Sequence, residues 1–421
     1  MTTAPNHPAR AAAERVDERR LWDRHMAMAQ HGARPDGGVN RQAFSAEDAA
    51  ARRLLADWAA ELGLEVHIDP VTNLFLRLPG TDPEAAPVVT GSHLDSQPMG
   101  GKFDGAFGVL AGLEAVEAIS KAGVRTRRPI EIVAWVNEEG SRFQPGMTGS
   151  AAFTGVESPE RATSWQDGEG VTIADTLPAM RAATPEAKTR PLGFPIAAYV
   201  EAHIEQGPRL EAAGLPVGIV TGIQGIRWFT VEIEGEAAHA GTTPKAARRD
   251  ALAAAVRMVA ALERLMADPD DVVRFTVGRF EVRPGSPNTV PDRALFTIDF
   301  RHPDATVLAR LGDSVAQVCR EEAGPCGVTV TETQHTRPVR FPDAMTAVLR
   351  DAAEALGIGH MDLPSGAGHD AKHVAGVCPS AMLFVPCRKG ISHNPAEHAE
   401  PADLAAGTRA LAHALVELAN R

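Results

Sequence analysis

Cysteine is rare in this sequence. Four of the 421 residues are cysteines, and no two of them form a C-x-x-C pair. The sequence therefore gives no thiolate zinc site, no dithiol redox motif and no disulfide framework. So few cysteines are typical of a reducing compartment, and the N-terminal segment MTTAPNHPARAAAERVDERR lacks the apolar core of a secretory signal. We therefore expect a cytoplasmic protein.

Basic residues are in the minority, and long apolar runs are lacking. Lysine and arginine total 42 against 54 aspartates and glutamates, which gives a formal net charge of −12. Non-specific nucleic-acid binding requires a basic surface, so we expect no nucleic-acid partner. A membrane-spanning helix needs a run of about 18 or more apolar residues, and none is present, so we expect no membrane partner.

Two patterns of strands and helices divide the chain. In residues 1–217 and 336–421, short and nearly continuous apolar strands such as APVVTGSH and RPIEIVAW alternate with helices. Such strands indicate an α/β sheet that is covered on both faces. Residues 218–335 instead follow the order β-α-β-β-α-β of the ferredoxin-like α+β unit. The sequence predicts an α/β domain that is interrupted by an inserted α+β domain.

Histidines and acids follow the apolar strands of the first pattern. His93 and His203 lie in GSHLDS and EAHIEQGP, and Glu138 and Glu139 directly follow the strand IEIVAWVN. Ligands of α/β sheets bind at the carboxyl ends of strands. Adjacent buried carboxylates repel each other, and divalent cations would compensate them. Mixed imidazole and carboxylate ligands suit Zn²⁺, Mn²⁺, Co²⁺ or Ni²⁺. Asp95, two residues after His93, is expected to share its strand face and to accept a hydrogen bond from its ring.

Six motifs carry a family resemblance. From about Gly91 to His398 the chain contains, in order, TGSHLDSQPMGGKFDGAFGVLAGLEA, NEEGSRFQPGMTGS, EAHIEQGP, GEAAHAGTTP, SGAGHDA and SHNPAEH. These motifs resemble the hydantoinase/carbamoylase branch of the M20 di-metal amidohydrolases. That branch includes N-carbamoyl-L-amino-acid hydrolases, β-ureidopropionases and allantoate amidohydrolases. The resemblance implies an aminopeptidase-like catalytic domain with an inserted lid and dimerisation domain.

The resemblance also implies a metal centre and a reaction. Two divalent metal ions would be bridged by Asp104, with His93 and His203 at one ion and with Glu139 and His393 at the other. Glu138 would act as the general base. The implied reaction cleaves the ureido C–N bond of an N-carbamoyl-L-amino acid, or of a β-ureido acid, to the amino acid, ammonia and CO₂.

Further residues are assigned to the substrate. By the resemblance, His239 reaches the site of the partner subunit in a homodimer and stabilises the oxyanion. Because a guanidinium can hold a carboxylate with two hydrogen bonds, Arg301 is the candidate for the carboxylate of the substrate. SGAGHDA is glycine-rich and stands at a predicted helix start, where free N–H groups can meet an anion. The other expected substrate contacts are Gln206, Asn288, Ser365, Gly366, Ala367 and His369. Asp370 is expected to cap or orient this segment, and Lys372 to lie on a helix surface.

Three other functions are compatible with parts of this pattern. Allantoate amidohydrolase performs the same chemistry on a diureido acid. An N-acyl-amino-acid deacylase or peptidase is the wider alternative, although His203 stands where other M20 branches tend to carry an acid. A non-catalytic binding protein on the same fold would lack a ligand or the base, whereas the expected set is complete in this sequence.

Overall fold

The computed structural model describes residues 7–421, and the first six residues of the segment considered for a secretory signal lie outside the described residues. The chain divides into two compact units. The first unit comprises Met1–Thr221 and Phe341–Arg421, and the second comprises Gly222–Arg340. All four cysteines are buried and unpaired.

Strands alternate with helices along the first unit, whereas in the second unit several strands follow one another. The strands are β1 (Glu65–Ile68), β2 (Leu74–Leu78), β3 (Val88–His93), β4 (Ile130–Trp135), β5 (Lys188–Thr189), β6 (Ala198–Ile204), β7 (Val217–Ile223), β8 (Gly225–Glu234), β9 (Ala238–His239), β10 (Arg274–Arg283), β11 (Thr289–Val290), β12 (Arg293–His302), β13 (Gly327–Thr336), β14 (Val339–Arg340), β15 (His360–Ser365) and β16 (Ser380–Val385). The helices are α1 (Pro8–Ala13), α2 (Glu18–Met28), α3 (Ala46–Glu61), α4 (Ala106–Lys121), α5 (Thr148–Thr154), α6 (Pro159–Ser164), α7 (Ile173–Ala183), α8 (Arg209–Ala213), α9 (Ala251–Met266), α10 (Ala305–Glu322), α11 (Asp343–Leu356), α12 (Ala371–Val374) and α13 (Pro401–Ala419).

A mixed sheet forms the centre of the first unit. Its strands in this unit have the order β7-β16-β6-β3-β4-β2-β1-β5, with β15 paired to β7. The strands β4, β3, β6 and β16 run parallel to one another and are buried along their whole length. Full burial on both faces explains why these segments have continuous apolar sequences. The predicted α/β class is confirmed.

Helix α4 lies directly against this sheet and begins beside the predicted site. Its residues contact β3, β4 and β6, and every residue from Ala106 to Ile119 is buried. A Cβ atom added at Gly108 would lie 2.3 Å from the main-chain oxygen of Ala202. Glycine at this position therefore permits the close approach of α4 to β6.

The second unit is an antiparallel sheet with two helices. The sheet order is β10-β12-β8-β13, and the chain order β8-α9-β10-β12-α10-β13 is the expected β-α-β-β-α-β. Alternate residues of β8 and β12 are buried, where they form a core with α9 and α10. A separate two-stranded ladder pairs β9 with β11. Within residues 7–421, no helix combines the length and the apolar character that crossing a membrane requires.

Candidate metal centre

The carboxyl ends of neighbouring strands bring the predicted ligands together. His93 is the last residue of β3, and His203 is the next-to-last residue of β6. Glu138 and Glu139 follow β4, while Asp104 lies in the loop between β3 and α4. His393 comes from the loop after β16. Parallel strands end at the same edge of a sheet, so residues distant in sequence become neighbours here.

Two groups of potential ligands share one carboxylate. In the first group, His203 Nε2 lies 3.2 Å and His93 Nε2 lies 3.7 Å from Asp104 Oδ1. In the second group, His393 Nε2 lies 3.4 Å from Asp104 Oδ2 and 3.4 Å from Glu139 Oε2. The ligand atoms of each group lie within 4.8 Å of one another. Asp104 therefore offers one oxygen to each group, as a bridging carboxylate would.

The two histidines of the first group are oriented so that their Nε2 atoms can bind a cation. The Nδ1 atoms of His93 and His203 face the main-chain oxygens of Asp95 and Ile204 at 2.9 Å. With a proton on each Nδ1, the Nε2 lone pairs face Asp104. The buried Nε2 of His93 has no hydrogen-bond partner among residues 7–421, which is unusual for a buried polar atom. A divalent cation would satisfy this nitrogen, and the residues therefore fit such an ion.

Glu138 and Glu139 leave the strand in different directions. Asn137, just before them, has a left-handed backbone with φ of 51°. Glu138 Oε2 lies 3.4 Å from His93 Nε2, whereas Glu139 Oε2 accepts a hydrogen bond from Gln97 at 2.7 Å and lies beside His393. The two adjacent acids thus face different histidines.

The acids of the centre are poorly compensated by the protein alone. Burial first, and then repulsion from Asp370 and Glu139, raise the pKa of Glu138 well above its usual value. Burial and the nearby Asp104 raise the pKa of Glu139 to about 8. A cation near these carboxylates favours their charged forms. The electrostatics of the site therefore agree with the ligand geometry.

Asp95 does not make the expected hydrogen bond. The main-chain oxygen of Asp95 faces the ring of His93, while its carboxylate lies 3.8 Å from His93 Nδ1. Instead, Asp95 Oδ1 accepts from the N–H of Glu138 at 3.2 Å and Oδ2 accepts from the N–H of Glu139 at 3.1 Å. Strand β3 ends at His93, so the alternation that would place residues 93 and 95 on one face stops there.

Three side chains surround Asp104 in the second group. Gln206 donates to Asp104 Oδ2 at 2.8 Å and to Ser392 Oγ at 3.1 Å, and Ser392 donates to Asp104 Oδ2 at 2.7 Å. Glu397 Oε1 accepts from the main-chain N–H groups of Phe103 at 2.8 Å and Asp104 at 3.1 Å. Gln206 is thus positioned on the shared aspartate. Sequence reasoning missed Ser392 and Glu397, although both lie within the SHNPAEH motif.

The SGAGHDA segment is an internally bonded loop. Ser365 Oγ lies 2.8 Å from His369 Nε2 and accepts from the N–H of Ala367 at 3.1 Å. Gly366 is exposed within the same loop, and the ring of His369 packs edge-on against that of His203 at 4.5 Å. The loop therefore supports His203 directly.

The helix that follows this loop differs from expectation in three ways. The N–H of Ala371, at the start of α12, donates to Glu201 Oε2 at 2.8 Å, so a buried carboxylate occupies the place expected for a bound anion. Asp370 makes no cap and accepts from the Ser150 hydroxyl at 2.5 Å. Lys372 is half-buried rather than a surface residue, and burial lowers its pKa while Glu138 opposes this shift. Lys372 is partly buried because its apolar neighbours on α12, Ala371 and Val374, are buried.

The second unit brings two of its predicted residues together. The β9–β11 ladder pairs His239 with Thr289, and the carbonyl of Asn288 accepts from the N–H of Ala240 at 2.9 Å. His239 is exposed, and its Nδ1 accepts from the N–H groups of Gly241 and Thr242 at 3.0 and 3.2 Å. In the neutral ring the proton is then on Nε2, which is available as a donor.

Arg301 lies on β12 with a partner on the same strand face. Its Nε and Nη2 atoms contact the two carboxylate oxygens of Asp299 at 3.1 and 2.8 Å. This arrangement, with two N–H···O hydrogen bonds from one guanidinium, is the one by which an arginine holds a carboxylate. Arg301 therefore already binds a carboxylate of its own chain in this structure.

Comparison with known proteins places the chain among metal-dependent hydrolases. A model of peptidase family M20/M25/M40 matches residues 89–417. The chain is 41% identical over 410 residues to an N-carbamoyl-L-amino-acid amidohydrolase of Rhizobium meliloti, with 96% of this chain and 97% of the relative covered. It is 37% identical over 397 residues to an allantoate amidohydrolase of Escherichia coli (strain K12), with 93% and 96% covered. A crystal structure of a hydantoinase/carbamoylase family amidase from Burkholderia multivorans superposes with a TM-score of 0.92 at 44% identity, covering 96% of this chain and 98% of that one.

Proposed function

The chain belongs to peptidase family M20/M25/M40 and is an amidohydrolase, and from this premise we propose that it cleaves the ureido C–N bond of N-carbamoyl-L-amino acids. The products are the amino acid, ammonia and CO₂. The observation that carries the proposal is the shared Asp104 with both groups of ligands complete, in a chain whose relatives of 37–41% identity include several N-carbamoyl-L-amino-acid amidohydrolases.

We assign two divalent cations to the centre. His93, His203 and Asp104 hold one ion, and Asp104, Glu139 and His393 hold the other. Such ions supply Lewis-acid chemistry, because they polarise a carbonyl and make water a stronger acid. Zn²⁺, Mn²⁺, Co²⁺ and Ni²⁺ all suit this donor set.

Glu138 moves the protons of the reaction. Its carboxylate lies 3.4 Å from His93 Nε2, and Glu138 belongs to neither group of ligands. In the proposed reaction Glu138 takes a proton from the attacking water and passes it to the leaving nitrogen. One residue thereby acts first as a base and then as an acid.

Further residues are assigned to the substrate in this proposal. Arg301 exchanges Asp299 for the substrate carboxylate, Asn288 lies beside His239, and the ureido group lies near Gln206 and the loop of Ser365, Gly366, Ala367 and His369. His239 acts in the site of a partner chain, where its Nε2–H stabilises the oxyanion. The second unit then serves as lid and dimerisation domain of a homodimer. Four buried, unpaired cysteines support a cytoplasmic location.

Allantoate hydrolysis is the second candidate function. It is favoured by the 37% identity to the Escherichia coli allantoate amidohydrolase. The two substrates share a ureido group and a carboxylate, so the same residues could serve both. Direct competition between them in one assay separates the two activities.

A substrate panel tests the proposal. The metal-free protein is supplied with Mn²⁺, Co²⁺, Ni²⁺ or Zn²⁺. Ammonia release is measured with N-carbamoyl-L-amino acids, β-ureidopropionate and allantoate, and release of the free amino acid is measured with N-acetyl-amino acids. We expect metal-dependent release from N-carbamoyl-L-amino acids. Release from allantoate alone would favour the second candidate, and cleavage of N-acetyl-amino acids alone would refute both.

Two glutamate variants separate proton transfer from metal binding. Glu138→Gln should keep both ions and lower kcat by about 10²–10⁴-fold, the usual contribution of general acid–base catalysis. Glu139→Gln, one residue away, should lose one ion per chain. Full activity of Glu138→Gln would overturn the assignment of the base.

A further inference from the structure

A third group of metal-ligating residues lies where the first and last helices of the chain meet. It shares no residue with the candidate metal centre and consists of His7, His413 and Glu417. His7 directly precedes α1, and the other two lie on α13. One ligand atom from each residue lies within 4.8 Å of the other two. We call this group the terminal cluster.

The helices hold the terminal cluster together. His413 and Glu417 are four residues apart on α13, so their side chains lie on the same face of the helix. Helix α1 contacts α13 and buries Ala9, Ala12 and Ala13, which holds the N-terminal end of α1 against that face. The three residues are therefore neighbours because of the packing of α1 on α13.

The distances within the terminal cluster suit a metal ion. His7 Nδ1 lies 3.4 Å from Glu417 Oε1, and the rings of His7 and His413 stack with centroids 6.2 Å apart. Zinc bonds of about 2.0–2.2 Å in a tetrahedron place neighbouring ligand atoms about 3.4 Å apart. His7 is 63% exposed, so its ring can rotate to complete such a geometry.

His413 has the properties of a metal ligand. It is only 7% exposed, and its buried Nδ1 has no hydrogen-bond partner in the described part of the chain. Burial lowers the pKa of His413, which favours the neutral form that binds metals. Arg10, whose positive charge also lowers this pKa, is held by Glu14 at 3.0 Å and by the carbonyl of Ala355 at 3.4 Å.

We propose that His7, His413 and Glu417 bind one divalent transition-metal ion, such as Zn²⁺, which joins α1 to α13. Two imidazoles and a carboxylate are a donor set that zinc accepts, and water completes the coordination. The bound ion stabilises the folded chain, because it binds the two helices only when they are packed together.

Metal counting with matched variants tests this site. Wild type, His7→Ala and Glu417→Gln are dialysed without tags against buffered micromolar free Zn²⁺, and bound zinc per chain is measured. The control is His335→Ala, because His335 Nδ1 also lies 3.4 Å from an oxygen of Glu332, but within residues 7–421 no third ligand is grouped with this pair. We expect His7→Ala and Glu417→Gln to hold one zinc fewer than wild type, and the control to hold the same number.

A stability measurement gives a second readout. Zinc should raise the unfolding temperature of wild type by more than it raises that of His7→Ala or Glu417→Gln. Both variants change partly exposed residues, so neither should prevent folding. Removing one direct ligand should weaken the affinity of the site by at least the 10–100-fold that indirect contacts contribute. Equal zinc counts and equal shifts in all four proteins would overturn the proposal, as would an additional ion that binds only at millimolar concentration.

Discussion

The main-chain N–H of Glu138 donates a hydrogen bond to the carboxylate of Asp95 at 3.2 Å. The other oxygen of the same carboxylate accepts from the N–H of Glu139 at 3.1 Å. Asp95 is buried, and its two oxygens therefore fix the main chain of both acids at once. This contact holds the proposed base and its neighbouring metal ligand at a constant separation, although their side chains face different histidines.

Asp95→Asn should impair the site, although asparagine has nearly the same side-chain shape as aspartate. Asparagine has one acceptor oxygen, so one of the two N–H groups would face an NH₂ group and lose its hydrogen bond. We expect kcat/KM to fall about 10–100-fold, the usual effect of a contact that orients metal ligands. The metal content and kcat/KM of purified Asp95→Asn measure this effect.

Asp48→Asn is the matched control for this variant. Asp48 is also buried, but among the described residues it accepts only one main-chain N–H, that of Phe44 through Oδ2, and an asparagine oxygen can replace this acceptor. Asp48→Asn should therefore retain metal content and kcat. Unchanged kinetics in Asp95→Asn as well would show that Asp95 does not position the two acids.

Glu397 should respond to substitution in the opposite way. Both of its main-chain hydrogen bonds, to Phe103 and Asp104, end on the same oxygen, Oε1. Glu397→Gln keeps an oxygen there, and burial already raises the pKa of this acid to about 7, so the uncharged amide is tolerated. We expect Glu397→Gln to retain metal binding and Glu397→Ala to lose about 10–100-fold in metal affinity.

Equilibrium dialysis with Co²⁺ and the visible spectrum of the bound ion measure this difference. Rescue by glutamine separates positioning from a general loss of stability, which the unfolding temperature of each variant reports. If Glu397→Gln loses as much affinity as Glu397→Ala, the charge of Glu397, rather than its bonds to the Asp104 loop, is what the site requires.

The sequence was sufficient to predict the sheet edge and the residues gathered there. Continuous apolar strands indicated a covered sheet, and the polar residues that followed them had to meet at the carboxyl ends of those strands. His93, Glu139 and His203 lie together in the structure for this reason, and Asp104 and His393, which the family resemblance added, complete the two groups. The periodicity of strands and helices was also enough to distinguish the second unit from the first.

The contacts that orient these residues were not predictable from local patterns. Asp95 was assigned by strand alternation, but β3 ends before it. Glu397 is separated from Asp104 by 293 residues, and Glu201 is separated from the helix start that it binds by 170 residues. Such pairs depend on how loops pack after the sheet has formed, and no spacing in the sequence records that.

Buried His25 should make stability depend on pH in the acidic range. Burial lowers its pKa to about 3, whereas an unfolded histidine has a pKa of about 6.5. Below pH 6.5 the unfolded chain therefore binds one more proton than the folded chain, and stability is lost as the pH falls towards 3. The loss from this residue should approach about 1.4 kcal/mol per pH unit.

His25→Leu removes the titrating group while filling the space beside Phe103 and Phe107, whose rings contact it. The free energy of unfolding from urea titrations between pH 7 and pH 5 should then fall less steeply for His25→Leu than for wild type. Parallel curves for the two proteins would contradict the assignment of this pH dependence to His25.

Subunit exchange tests whether His239 acts in the partner chain. His239→Ala and Glu138→Gln should each be inactive as homodimers. A heterodimer of the two contains one site that combines an intact Glu138 with the intact His239 of the partner. After free exchange, half of the dimers are mixed and each has one working site, so roughly a quarter of the wild-type activity should return.

The control for this experiment mixes Glu138→Gln with a chain that carries both substitutions. No site in that mixture contains Glu138, so no activity should return whatever the arrangement of His239. Mixed dimers are counted independently by differential tagging and mass measurement. Because a His239 that acts within its own chain cannot be supplied by a partner, mixed dimers without activity would place it in its own subunit's site, and a chain that stays monomeric would remove the proposed dimer altogether.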